Sequence, residues 1–137
     1  MFLLDVNILI AVADADHEHH ARATTFFEEN REAGWATCPI SENGFLRIIG
    51  NPNYPGEPGS TNLAKGLLAD LCKHPDHQFW PDEVSLQEFD DLPGSKKLTD
   101  HYLLALAIRK NGKLATMDAR INPLPSGSGQ GSYFVIP

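Results

Sequence analysis

This sequence predicts an α/β fold with an open, mostly parallel sheet covered on both faces, and three observations carry that prediction. Short apolar segments alternate with helical patterns, and parallel neighbours need such helices as crossovers between them. Two of the apolar segments stop at an aspartate, Asp5 after Met1–Leu4 and Asp118 after Lys113–Met117, as buried strands do where the chain emerges at their carboxyl ends. The 137 residues match one domain of the usual size of roughly 100–150 residues, so 1–137 reads as a single unit.

The elements follow in order. Met1–Leu4 is the first strand. From His17 to Ala33 the pattern is helical, with Ala23, Phe26 and Phe27 on one face and Gly34 placed as a left-handed C-cap. Trp35–Ile40 reads as the second strand, and Ser41 caps a helix through Gly50 with Phe45, Ile48 and Ile49 at helical spacing, although Gly44 weakens it. The breakers between Asn51 and Ser60 make a loop. Thr61 opens a helix with an apolar stripe of Leu63, Leu67, Leu68 and Leu71; Pro75 ends it, and Gln78–Trp80 is a short strand. Ser85 caps a turn of helix through Phe89. After Pro93 and Gly94, Thr99 caps a helix over Asp100–Asn111 that stops at Gly112. Lys113–Met117 and Tyr133–Ile136 are the last strands, separated by the loop Pro123–Ser132.

With 42% hydrophobic and 21% charged residues the chain has the makings of a core, which excludes disorder for most of its length. Its longest apolar runs, Met1–Leu4 and Ile8–Ala13, fall far short of the roughly 20 residues a membrane span needs. Met1–Val6 carries no lysine or arginine of the kind that opens a secretory leader, so a cytoplasmic protein is expected. Cys38 and Cys72 are too few for a disulfide framework and read as reduced thiols packed in the core. The net charge of −7 opposes nucleic-acid binding, but it is unevenly spread. Six bases and two acids between Lys96 and Arg120 give that segment +4 and leave −11 elsewhere, so a local basic face survives.

The chemistry lies with four acids. Asp5 and Asp118 follow strands, while Glu42 and Asp100 open helices, so all four point to the sheet edge where open α/β folds bind ligands. Each acid alone has an ordinary explanation as a strand end or a first-turn residue. Together they would repel one another unless a cation compensates them, and oxygen ligands without a His or Cys cluster suit Mg²⁺ or Mn²⁺ better than zinc. Such an ion supports phosphoryl hydrolysis.

The segments Leu3-Leu4-Asp5-Val6-Asn7, Thr37 through Ile48, Leu98-Thr99-Asp100-His101-Tyr102-Leu103 and Leu114-Ala115-Thr116-Met117-Asp118 resemble, in that order, the PIN-domain ribonucleases and among them the VapC-type toxins of toxin–antitoxin systems. The resemblance implies a PIN-like three-layer α/β/α sandwich and a Mg²⁺- or Mn²⁺-dependent endoribonuclease. It places Asp5, Glu42, Asp100 and Asp118 at the family's acidic positions, with Asn7 and Thr116 as supporting polar residues. It further implies an RNA substrate, a homodimer, and a small antitoxin whose basic C-terminal segment covers the site. Asp5 and Asp118 are then expected to hold the ion, with Asp100 a further candidate ligand and Glu42 completing the carboxylate shell; which of the acids ligate directly is left open. Arg47, one turn beyond Glu42, either contacts phosphate or pairs with a neighbouring carboxylate, the second being favoured.

Other residues carry less. His17, His19 and His20 lack zinc-site spacing and read as a solvated helix start, and His101 points about 100° away from Asp100. Trp35, Phe45, Phe79 and Trp80 sit in apolar stretches and read as core or dimer contacts. Two rival functions remain. An aspartyl-nucleophile phosphatase would use Asp5, but the position of its general acid holds Asn7. A non-catalytic α/β module would use the acidic rim only to bind a basic partner.

Overall fold

The computed structural model describes residues 1–56, 58–118 and 133–137. The loop expected at Pro123–Ser132 lies outside the described residues.

Five strands form one sheet: β1 (Phe2–Leu4), β2 (Trp35–Thr37), β3 (His77–Phe79), β4 (Lys113–Thr116) and β5 (Tyr133–Val135). Their order is β3-β2-β1-β4-β5, and every neighbouring pair is parallel. The chain grows outward from β1 to β2 and β3, then returns to place β4 on the other side of β1. The strand order therefore reverses between β1 and β4, the kind of crevice in which parallel sheets bind ligands.

The helices are α1 (Val6–Ala13), α2 (His20–Asn30), α3 (Pro39–Ile49), α4 (Thr61–Cys72) and α5 (Leu98–Arg109). Alternation along the strands divides the core. Leu3, Ala36 and Leu114 face Leu103, Leu104 and Leu106 of α5, whereas Leu4, Trp35 and Ala115 face a cluster from α1 to α4 that includes Ile8, Leu9, Phe26, Phe27, Phe45, Ile49 and Leu68. The expected layers of helix, sheet and helix are thus present. Each fully buried aliphatic side chain contributes about 1.5–3 kcal/mol by leaving water.

Several boundaries differ from those expected. α1 is a helix that periodicity does not announce, because Val6, Ile8, Leu9, Ile10 and Ala11 are buried around nearly its whole circumference. β2 stops at Thr37, and α3 begins at Pro39 rather than after Ser41. Proline's fixed φ suits the first helical position, and the Ser41 hydroxyl accepts the Cys38 N–H at 2.9 Å. α2 begins at His20 and ends in a 3₁₀ turn, Arg31–Ala33, before Gly34 at φ +94°. A 3₁₀ turn, Ser95–Lys97, leads into α5, which puts Thr99 inside the helix. In α4 the buried residues are Ala64 and Leu68, while Leu63 and Leu67 of the expected stripe are exposed.

Gly44 is where α3 meets α1. A Cβ there would stand 2.8 Å from a Val6 methyl, so a residue that weakens the helix locally is what allows the two helices to approach this closely.

Candidate active site

Asp5 leaves β1 and caps α1. Its Oδ1 accepts the Val6 N–H at 2.7 Å, and its Oδ2 accepts the Thr116 hydroxyl at 2.9 Å. Thr116, the fully buried last residue of β4, also accepts the Asp118 N–H on Oγ1 at 3.0 Å. One hydroxyl thus locks together the ends of the two strands that flank the reversal in strand order.

Three of the four acids interact. Burial pushes the Asp5 carboxyl up to about 6, opposed by the Thr116 and Val6 hydrogen bonds and reinforced by the charges of Asp100 and Asp118. Asp100, in the first turn of α5, is likewise raised, first by burial and then by Asp118, with Lys97 acting the other way. Lys97 Nζ lies 3.7 Å from Asp118 Oδ2. Among the described residues three carboxylates and one ammonium meet here. The donors are oxygens, as a hard ion requires. By donor chemistry, Asp5, Asp100 and Asp118 suit a metal of the Mg²⁺ or Mn²⁺ kind.

Glu42 opens α3 at the same edge of the sheet, but its carboxylate is turned to other partners. Thr37 Oγ1 donates to Glu42 Oε2 at 2.7 Å and lies 2.8 Å from His77 Nε2. Ligand atoms of Glu42, Cys72 and His77 all lie within 4.8 Å of one another. Of the four acids expected on one rim, Asp5, Asp100 and Asp118 interact with one another, while Glu42 is held by Thr37. Cys72, expected only to pack, borders this polar group.

Asn7 is exposed in the first turn of α1. Arg47 is exposed on α3 and has no carboxylate partner among the described residues. The basic segment is partly neutralised within the chain, since Arg109 pairs with Glu88 at 2.6 Å and Lys110 with Glu83 at 3.0 Å. His20 binds the Ala11 carbonyl through Nδ1 at 2.7 Å, and the His101 ring is buried against Phe89. Trp35, Phe45 and Trp80 are in the core, whereas Phe79 is exposed. No helix among the described residues is long and apolar enough to cross a membrane.

The sequence matches the model of the PIN domain over residues 2–125. It is 43% identical over 125 residues to Ribonuclease VapC38 of Mycobacterium tuberculosis, covering 88% of this chain and 87% of the relative. It is 42% identical over 124 residues to Ribonuclease VapC44 of the same species, covering 87% of each chain. Ribonuclease VapC39, also from that species, is 39% identical over 124 residues, 87% of this chain and 89% of the relative. With this similarity running through both strands that carry the aspartates, the chain belongs to the PIN-domain family, among its VapC-type ribonucleases.

Proposed function

We propose that this chain, acting as one domain over residues 1–137, is a Mg²⁺- or Mn²⁺-dependent endoribonuclease and the toxin of a type II toxin–antitoxin pair. The observation that carries the reading is the convergence of Asp5, Asp100 and Asp118, from three separate segments, at the β1–β4 crevice, where their charges oppose one another. Divalent-metal dependence is general among PIN ribonucleases. Asp5, Asp100 and Asp118 would hold the ion, which when bound supplies an activated water and stabilises charge at the RNA phosphate. The chain's own contribution is positional. Thr116 fixes Asp5 Oδ2 and the backbone before Asp118, and the start of α1 supplies an N–H to Asp5 Oδ1. Lys97 offsets part of the carboxylate charge. Glu42 stands at the head of α3 as a further acid of the site, and Asn7 and the exposed Arg47 are polar groups for the substrate backbone.

The relatives are named ribonucleases, which favours the enzyme over the phosphatase and the non-catalytic module. VapC toxins in general pair with VapB antitoxins; a basic antitoxin tail would be drawn to the same acidic crevice. Exposed Ile48, Leu63 and Leu67, on the packed pair α3 and α4, support a homodimer. A cytoplasmic site of action goes with this reading. Incubating the partner-free chain with total RNA, with and without Mg²⁺ or Mn²⁺, tests it: metal-dependent cleavage absent from the Asp5→Asn chain is expected, and metal-independent cleavage or full activity in that variant would refute it.

A further inference from the structure

The proposed hydrolysis uses neither the Cys72 thiol nor the His77 imidazole, yet the fold brings both to one carboxylate. We propose that Glu42, Cys72 and His77 form a second metal site, suited to a thiophilic ion such as Zn²⁺ rather than to the hard ion of the aspartate rim.

The three residues come from the start of α3, the last residue of α4 and the first of β3. Glu42 lies far from the other two in sequence and meets them because α4, which ends at Cys72, packs on α3, and because β3 pairs with β2 in the register Trp35 with His77. Their oxygen, sulfur and nitrogen atoms lie within 4.8 Å of one another. A tetrahedral zinc site, with bonds of roughly 2.0–2.3 Å, wants its donors about 3.3–3.8 Å apart, a spacing that side-chain rotation can supply. All three side chains are half-buried, and the Trp35 ring packs against His77 with centroids 4.6 Å apart, so the group has an apolar wall. The donors also set the preference. Thiolate and imidazole select borderline and soft ions, whereas Mg²⁺ prefers oxygen and its own waters.

The charges balance without any redox step. Cys72 gives up its S–H proton to solvent as the sulfur–metal bond forms, and neutral His77 exchanges its 2.8 Å contact with Thr37 Oγ1 for the ion, its ring proton moving to Nδ1 so that the Nε2 lone pair is free to bind. Carboxylate and thiolate together then match the dication. Because the thiol must lose its proton to bind, uptake of the ion strengthens as pH rises. The fully buried Thr37 hydroxyl, already on Glu42, becomes the outer partner that orients the carboxylate. The functional consequence rests on the ribonuclease reading: an ion here ties up Glu42 and withholds it from the aspartate rim.

Binding can be read without RNA. Co²⁺ added to the metal-free full chain should give a thiolate-to-cobalt charge-transfer absorption that Zn²⁺ displaces. The band should vanish in Cys72→Ser, need at least about tenfold more Co²⁺ in His77→Gln, and persist in Asp118→Asn. In that last chain, Zn²⁺ should also raise the melting temperature where equal Mg²⁺ does not. No band in the parent chain, a band surviving Cys72→Ser and so belonging to Cys38, a band lost in Asp118→Asn, or no Zn²⁺-specific rise would each overturn the site. None of these readouts depends on whether RNA is cut.

Discussion

Two polar clusters flank β1, and each is organised by a buried threonine ending a neighbouring strand. On one side Thr116 of β4 holds Asp5; on the other Thr37 of β2 holds Glu42. The difference lies in what surrounds the carboxylate. Asp5 is buried and faces two further acids, which add to burial in raising its affinity for a proton, whereas Glu42 faces a thiol and an imidazole. The same strand-end device therefore produces an all-carboxylate site on one side and a mixed-donor site on the other. Chemistry at a sheet edge is decided by the helix or strand that comes to lie beside it, and only secondarily by the strand-end acid.

Experiments can break this comparison. The largest effect belongs to Asp118→Asn, which removes a ligand charge and should lower metal-dependent RNA cleavage by about 100-fold or more, equivalent to about 2.7 kcal/mol, with the melting temperature preserved. Next is Thr116→Val, which should lower cleavage by about 10–100-fold. It should also move the acidic limb of the pH–rate profile upward, because the hydrogen bond that lowers Asp5 is gone, and Thr116→Ser should restore both. Thr37→Val sharpens the contrast: a smaller loss than Thr116→Val is expected, and an equal loss would mean that Glu42 is as necessary as Asp5.

A third effect is on stability. Asp5 binds its proton more tightly folded than unfolded, so its contribution to the metal-free chain is complete below about pH 4 and is lost as pH rises through about 6. That loss is on the order of 3 kcal/mol. Urea titrations across this window should show it, Asp5→Asn should flatten it, and Mg²⁺ should restore stability at neutral pH. The smallest effect is that of Arg47→Ala, which should weaken RNA binding several-fold and reduce the slope of log affinity against log salt by about 0.7. An unchanged slope would return Arg47 to a structural role.

The sequence made the aspartate rim legible because each acid adjoins a strand or opens a helix, and such positions converge once the sheet is parallel. Strand order was not legible, so neither was the lock that Thr116 provides between Asp5 and Asp118, although Thr116 stood out as a supporting residue. α1 was hidden because a helix buried on nearly all sides has no polar face to mark its period. α3 starts early because Pro39 and the Ser41 hydroxyl together close its first turn, whereas Ser41 alone looked like the cap. Cys72 and His77 carried no spacing signal that ties them to Glu42. The packing of α4 on α3 and the β2–β3 register join them, and both are tertiary properties.

The missing side chain at Gly44 has a reach beyond its own helix. α1 starts at the residue that Asp5 caps, and α3 starts just before Glu42, so the contact at Val6 is a common spacer for both ends of the crevice. A single added methyl there would push the two helix heads apart like a wedge and disturb both metal-binding geometries at once, without touching a donor atom.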